Sequence, residues 1–201
     1  MLPAITAPVS WERMDSALQN VKARLLRATH ALRKAGLPYA VVGDSAVAAW
    51  VSRVDESAVR NTRDVDILLR RADLPAARAA LEAAGFHHRR VAMLGTGGTM
   101  DIFLDGPDAR VRDAVHILWA GERVRDDSPE PSPDVNDAED AGGFTLVSLA
   151  ALVRMKLSSF RDKDRMHLRD LIDTGLLDQS WCPSLPDTLR ARLQELLNNP
   201  E

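Results

Sequence analysis

Apolar positions along the chain follow two rhythms, steps of three and four or steps of two, and each change of rhythm marks a predicted element. Met14, Leu18, Val21, Leu25, Ala28 and Leu32 recur at helical spacing. They predict a long helix with one apolar stripe, capped by Ser10 and ended by Gly36 and Pro38. Tyr39 to Val42 reads as a short buried strand, Gly43-Asp44-Ser45 as a sharp turn, and Ala46 to Val51 as the start of a second helix. Arg53 to Asn61 is a polar loop, in which Arg60 is expected to be solvated, as is Arg63 just beyond it. Val65, Ile67 and Leu69 then alternate as the buried face of a strand running to about Arg70.

Asp73 caps the next predicted helix, carried by Leu74, Ala77, Leu81 and Ala84 and stopped at Gly85. Phe86 to Leu94, Met100 to Leu104 and Ala114 to Ala120 read as strands. The glycine run from Gly95 to Gly98 lacks a following Lys-Ser/Thr and a helix, so it predicts a turn between strands and not a phosphate loop. Arg125 to Gly143 is acidic, rich in proline and poor in apolar residues, which predicts an exposed loop. Beyond it lie three helices: Leu149 to Phe160 capped by Ser148, Lys163 to Thr174 closed by Gly175, and Asp187 to Leu197 after a break at Pro183 to Pro186. The order predicts an α+β chain of mixed α/β character, a central sheet flanked by helices. Residues 1–143 form the core with its long N-terminal helix, and residues 144–201 a helical part packed on it.

At 201 residues, with 45% hydrophobic and 27% charged residues, the chain fits one soluble domain. A net charge of −3 gives no global attraction to nucleic acid, although 22 of the 26 basic residues are arginine. The single Cys182 excludes an internal disulfide and fits a reducing cytoplasm. Met1 to Pro8 carries no basic start and no long apolar run, so no signal peptide is expected. No apolar window reaches the roughly 18 residues of a membrane span, so no membrane partner is expected.

Candidate chemistry centres on the strand. Asp64 and Asp66, two apart, share a face about 7 Å apart at their Cα atoms. Two anions held together call for a cation, and an acidic, oxygen-rich pair suits Mg²⁺. A strand mouth whose aspartates cap the preceding turn would show the same residues. Asp101, on a later strand, would complete the site as a third carboxylate, and a strand-edge aspartate is its other reading. His116 is expected as a packed core histidine. Lys156 lies four after Leu152 and four before Phe160, in the middle of an apolar stripe. It must pair, snorkel or face a cleft. Asp170 and Asp173 are its candidate partners, while Asp162 and Asp164 are expected in a solvated turn.

Three stretches, in this order, carry a resemblance: Val-Val-Gly-x-Ser-Ala at Val41 to Ala46, Thr-Arg-Asp-Val-Asp-Ile at Thr62 to Ile67, and the lone Asp101. Together they resemble the nucleotidyltransferase fold of the DNA polymerase beta superfamily. The run from Ser148 to Lys156, continuing through Arg161 to Asp170, is similar to its AbiEii-type branch, which includes toxins of type IV toxin–antitoxin systems. The resemblance implies that Gly43 and Ser45 cradle the phosphates of a nucleoside triphosphate, and that Asp64, Asp66 and Asp101 hold Mg²⁺. It implies that Lys156 contacts phosphate and that Asp170 is the essential C-terminal acid. Implied partners are an RNA 3′ end, a protein hydroxyl or a small molecule as acceptor, and an antitoxin. Asp44, between Gly43 and Ser45, departs from the branch, as does the length of chain between Gly43 and Asp64. A nucleotide-binding or interaction module of the same fold that has lost turnover is the other functional reading.

Overall fold

The computed structural model describes residues 10–92 and 98–199. The Met14 side chain, Met93 and Leu94 at the end of one predicted strand, Gly95 to Gly97 of the glycine run, and Met1 to Pro8 lie outside the described residues. The central strand is β2 (Val65–Leu69), as its alternation predicts. It pairs antiparallel with β1 (Ala40–Val42), setting Val42 opposite Asp66, and parallel with β5 (Ala114–Trp119), setting His116 opposite Asp66. Strands β3 (His87–Ala92) and β4 (Thr99–Leu104) extend one side, β6 (Ala138–Asp140) and β7 (Thr145–Val147) the other. Among the described residues the sheet has seven strands in the order β3-β4-β5-β2-β1-β7-β6, parallel and antiparallel mixed. This is the expected mixed α/β class.

Strand alternation divides the core between the two faces. Val65, Ile67 and Leu69 face α1 (Trp11–Lys34) and α3 (Leu74–Ala83), burying Ala28, Leu32, Ala77 and Leu81. Leu68, Ala40, Val42 and Leu146 face the other layer. That layer is α2 (Gly43–Ser52), α4 (Leu149–Ser159), α5 (Asp162–Asp173) and α6 (Asp187–Asn198). The stripe on α1 is covered only over its C-terminal half: Ala28 and Leu32 are fully buried, whereas Leu18 is 45% exposed.

Two local expectations change. Helix α2 begins at Gly43, so the predicted turn is the first turn of the helix itself. The acidic loop is not a free surface segment. Gly121 N–H donates to the Ser132 carbonyl at 3.1 Å and Ser132 N–H to the Glu122 carbonyl at 2.8 Å, closing the segment on itself. Glu130 accepts two bonds from Arg154 on α4, Val135 is buried, and residues 138–140 add the edge strand β6. Polar bonds hold this segment, which is why hydrophobicity alone does not reveal it.

Candidate active site at the mouth of the central strand

Register builds the site. Residues paired across strands point to one face, so Asp66 on β2 and His116 on β5 stand side by side on the face of Leu68. Asp64 lies just before β2, where Thr62 Oγ1 donates to its Oδ1 at 2.9 Å. His116 Nδ1 is 3.5 Å from Asp66 Oδ1 and 3.7 Å from Asp64 Oδ2. The three residues place one ligand atom each within 4.8 Å of one another, a set that could hold a metal ion. His116 is therefore not a packed core residue. Burial opposes its charged form, but the contact with Asp66 and the bond to the Val111 carbonyl raise its pKa. Burial pushes the Asp66 carboxyl up, and the neighbouring Asp64 adds to this. Among the described residues neither aspartate has a lysine or arginine ion-pair partner, so a divalent cation fits the pair.

Gly43 packs against Asp66. A Cβ built on it would stand 1.9 Å from Asp66 Oδ2 and 2.9 Å from Asp66 Cβ, and its φ is +67°. No L side chain fits there without moving the carboxylate. Gly43→Ala is expected to cost about 1–3 kcal/mol and to lower any activity that depends on Asp66. A thermal melt beside an activity assay checks this, and a variant equal to the native chain in both would remove the constraint. The N-cap, Val42, supplies no side-chain bond to the first turn of α2. Helix geometry gives the backbone N–H groups of a first turn no helical acceptor, and such groups suit an anion. Ser45 Oγ donates to the Asp64 carbonyl at a long 3.4 Å.

Lys156 is 5% exposed, and its ammonium is fully engaged. It donates to Asp44 Oδ1, Asp164 Oδ1 and His167 Nδ1, each at 3.1 Å. The partners are not Asp170 and Asp173, and Asp164 is not in a solvated turn: it is 1% exposed and also binds Arg161 and Ser159. Asp44, the departure at the glycine turn, points into this network and also pairs with Lys163. Burial opposes ionisation of Asp44, and Lys156, Lys163 and His167 outweigh it. Burial likewise opposes ionisation of Asp164, but Arg161, Lys156 and Ser159 bring its pKa down to about 2 from 3.8. An acid with a depressed folded pKa stabilises the fold above its unfolded value and loses that contribution as pH falls through the folded one. Stability is therefore expected to drop by about 2 kcal/mol between roughly pH 4 and pH 2 on account of this group. Denaturant melts through that window should show a shallower slope for Asp164→Asn, and an identical slope would exclude the contribution.

Two further expectations are corrected. Asp101 does not join the pair. Ile102 is opposite His116, so Asp101, one residue away, points to the reverse face, where it binds His88 at 2.8 Å and Arg90 at 3.2 Å. The place beside the aspartates is taken by His116. Its signal was the alternation with Val115 and Ile117, which sets it on the other face from them. Asp170 does not meet Lys156. It takes two bonds from Arg60, at 2.7 and 2.9 Å, across 110 positions of sequence.

Two cavities meet at Asp64. One, of about 630 Å³, is lined by Val47, Arg60, Arg63, Met166 and Asp170 among others. The second, of about 250 Å³, is lined by Gly43, Asp66, His116, Arg125 and Arg161 among others. Asp44, Asp64 and Lys163 line both.

Fold and site together define a mixed α/β protein with a metal-competent acidic cleft. No family model matches the chain, and no curated protein does. Among solved structures it is similar to the antibiotic-resistance factor ANT(2'')-Ia in solution, at 16% identity over 93% of this chain and 92% of that one, with a TM-score of 0.45. It is similar to ANT(2'')-Ia in complex with adenylyl-2''-tobramycin, at 18% identity over 88% and 97%, with a TM-score of 0.48. An H. pylori protein proposed to be a nucleotidyltransferase gives 12% identity over 96% of both chains and a TM-score of 0.44. Likenesses this distant carry no functional argument. Among the described residues no helix is long and apolar enough to cross a membrane.

Proposed function

We propose that this chain is a nucleotidyltransferase, which passes a nucleoside monophosphate from a nucleoside triphosphate to an acceptor hydroxyl. One observation carries the reading: two neighbouring carboxylates, without a lysine or arginine ion-pair partner among the described residues, stand where two cavities meet, and one of them, Asp66, presses against the glycine that opens α2. Asp64 and Asp66 would hold the divalent ion, for which the acidic pair suits Mg²⁺. Bound there, the ion would supply charge neutralisation at the reacting phosphate and at the leaving pyrophosphate. The first turn of α2 offers backbone donors to phosphate. Two adjoining cavities suit a donor and an acceptor held for in-line attack. Asp170, paired with Arg60, orients that guanidinium at the wall of the larger cavity. Residues 144–201 supply Lys156, Lys163 and Asp170 from α4 and α5 to the core of residues 1–143, and their first strand, β7, completes the sheet of that core.

Lys163, not the buried Lys156, is the lysine this site offers to phosphate. Its side chain is 53% exposed, lines both cavities and can exchange Asp44 for an incoming anion. Lys163→Ala is expected to weaken binding of a non-hydrolysable triphosphate about tenfold, the loss of one charge-assisted bond. Calorimetry checks this, and an unchanged affinity would remove the role.

The reaction is tested with purified protein, a divalent ion, each labelled triphosphate and a panel of RNA, protein and small-molecule acceptors. Label transfer that Asp64→Ala abolishes supports the reading. Triphosphate binding without transfer to any acceptor would favour the inactive module. Membership of the AbiEii-type branch, a toxin role and an antitoxin partner rest on sequence resemblance. Growth arrest on induction of the native chain, absent for Asp66→Ala, supports the toxin role, and unaffected growth with both removes it.

A further inference from the structure

Parallel pairing of β2 with β5 brings the His116 imidazole to the two aspartates, where the sequence led us to expect a third carboxylate. Its far nitrogen, Nε2, lies 2.9 Å from the Val111 carbonyl. A carbonyl only accepts, so Nε2 carries the hydrogen and, in the neutral ring, Nδ1 keeps its lone pair. A backbone carbonyl behind the ring is the support that fixes the tautomer and aim of a metal-binding histidine. That lone pair faces Asp66 Oδ1 at 3.5 Å and Asp64 Oδ2 at 3.7 Å. Donors about 2.1 Å from one shared ion stand roughly 3.0–3.6 Å apart, close to these separations. The three side chains line the same 250 Å³ cavity, so the set is open to an entering ion.

We propose that His116 Nδ1 is a third ligand beside Asp64 and Asp66, and that the site therefore prefers Mn²⁺ to Mg²⁺. The inference rests on the metal-dependent transferase reading and adds a choice of ion to it. Mg²⁺ is a hard ion that takes oxygen ligands and gives up its waters reluctantly, so an imidazole gains it little. Mn²⁺ accepts carboxylates equally well and stands on the first-row series whose affinity for nitrogen donors exceeds that of magnesium. His116 thus separates two ions that the aspartates alone would treat more nearly alike.

The test titrates the purified chain with MnCl₂ and with MgCl₂ by calorimetry, and follows free Mn²⁺ by its paramagnetic resonance. Native protein is expected to bind Mn²⁺ at least about tenfold more tightly than Mg²⁺. His116→Ala is expected to lower the Mn²⁺ affinity about tenfold or more while Mg²⁺ affinity moves less than about threefold. Pulsed resonance of the Mn²⁺-loaded native chain should show coupling to a ring nitrogen, which His116→Ala abolishes. Should that variant fail to fold, nitrogen coupling in the native chain still decides the matter. Absent nitrogen coupling, or a Mn²⁺-to-Mg²⁺ ratio untouched by His116→Ala, would overturn the assignment. In that event Mg²⁺ binding that is lost in Asp66→Ala would leave the transferase reading standing. A native chain that binds neither ion would overturn both.

Discussion

Asp66→Asn is expected to lower label transfer on the order of 10³-fold while leaving the protein at least as heat-stable as the native chain. The amide keeps the size of the side chain beside Gly43 and removes its charge. Ionising that carboxyl is a burden on the free protein. Burial and the nearby Asp64 raise the Asp66 pKa, so ionisation costs more in the folded state than in the unfolded one. A raised acid pKa means that stability declines as pH rises from the unfolded value of about 3.8 towards the folded one. His116 loses a partner in the variant, which offsets part of the gain. Loss of activity together with a level or higher melting temperature marks a residue kept for function. Thermal melts and transfer assays on the same preparation check the pairing. A variant that melts several degrees lower, and transfers label in proportion to its folded fraction, would show Asp66 to be structural.

Lys156→Ala is expected to cost about 3–5 kcal/mol of stability, the usual penalty for stranding buried charge. An ammonium has three hydrogens to donate, and here each has a partner. Without it, Asp44 and Asp164 face one another with Lys163 and Arg161 as their remaining cations. Those two cations hold the loss below that of a wholly unpaired site. Lys156→Met separates volume from charge, because it refills the space and leaves the carboxylates unpaired. It is expected to be nearly as destabilising as alanine, and adding Asp164→Asn should recover part of the loss. Urea denaturation at pH 7 measures all three. If the methionine variant equals the native chain, the network contributes nothing to stability and the cost of alanine is only packing.

Much of the architecture could be read from neighbours in sequence, because the forces that shape it are local. The alternation of Val65, Ile67 and Leu69 placed the central strand. Ser148 caps α4 as its position promised, accepting from Ala151 N–H at 3.3 Å. The helix stripes sorted Leu32, Leu81 and Leu152 into the core. Lys156 was legible as an anomaly, since a cation in an apolar stripe needs a partner.

The identity of that partner was not legible. Asp44 is 112 positions away and Asp164 only eight, yet both reach Lys156 through the packing of α2, α4 and α5. The Arg60–Asp170 clamp has the same origin. Asp101 and His116 exchanged their expected places because a strand sends successive side chains to opposite faces, and only the pairing of Ile102 with His116 shows which face is which. Sequence by itself determined the helices, the acidic pair and the strands β1 to β5, through periodicity and chain-local bonding, but not the short strands β6 and β7. Tertiary structure alone decided which charges meet, because register and helix docking depend on contacts between residues far apart in the chain.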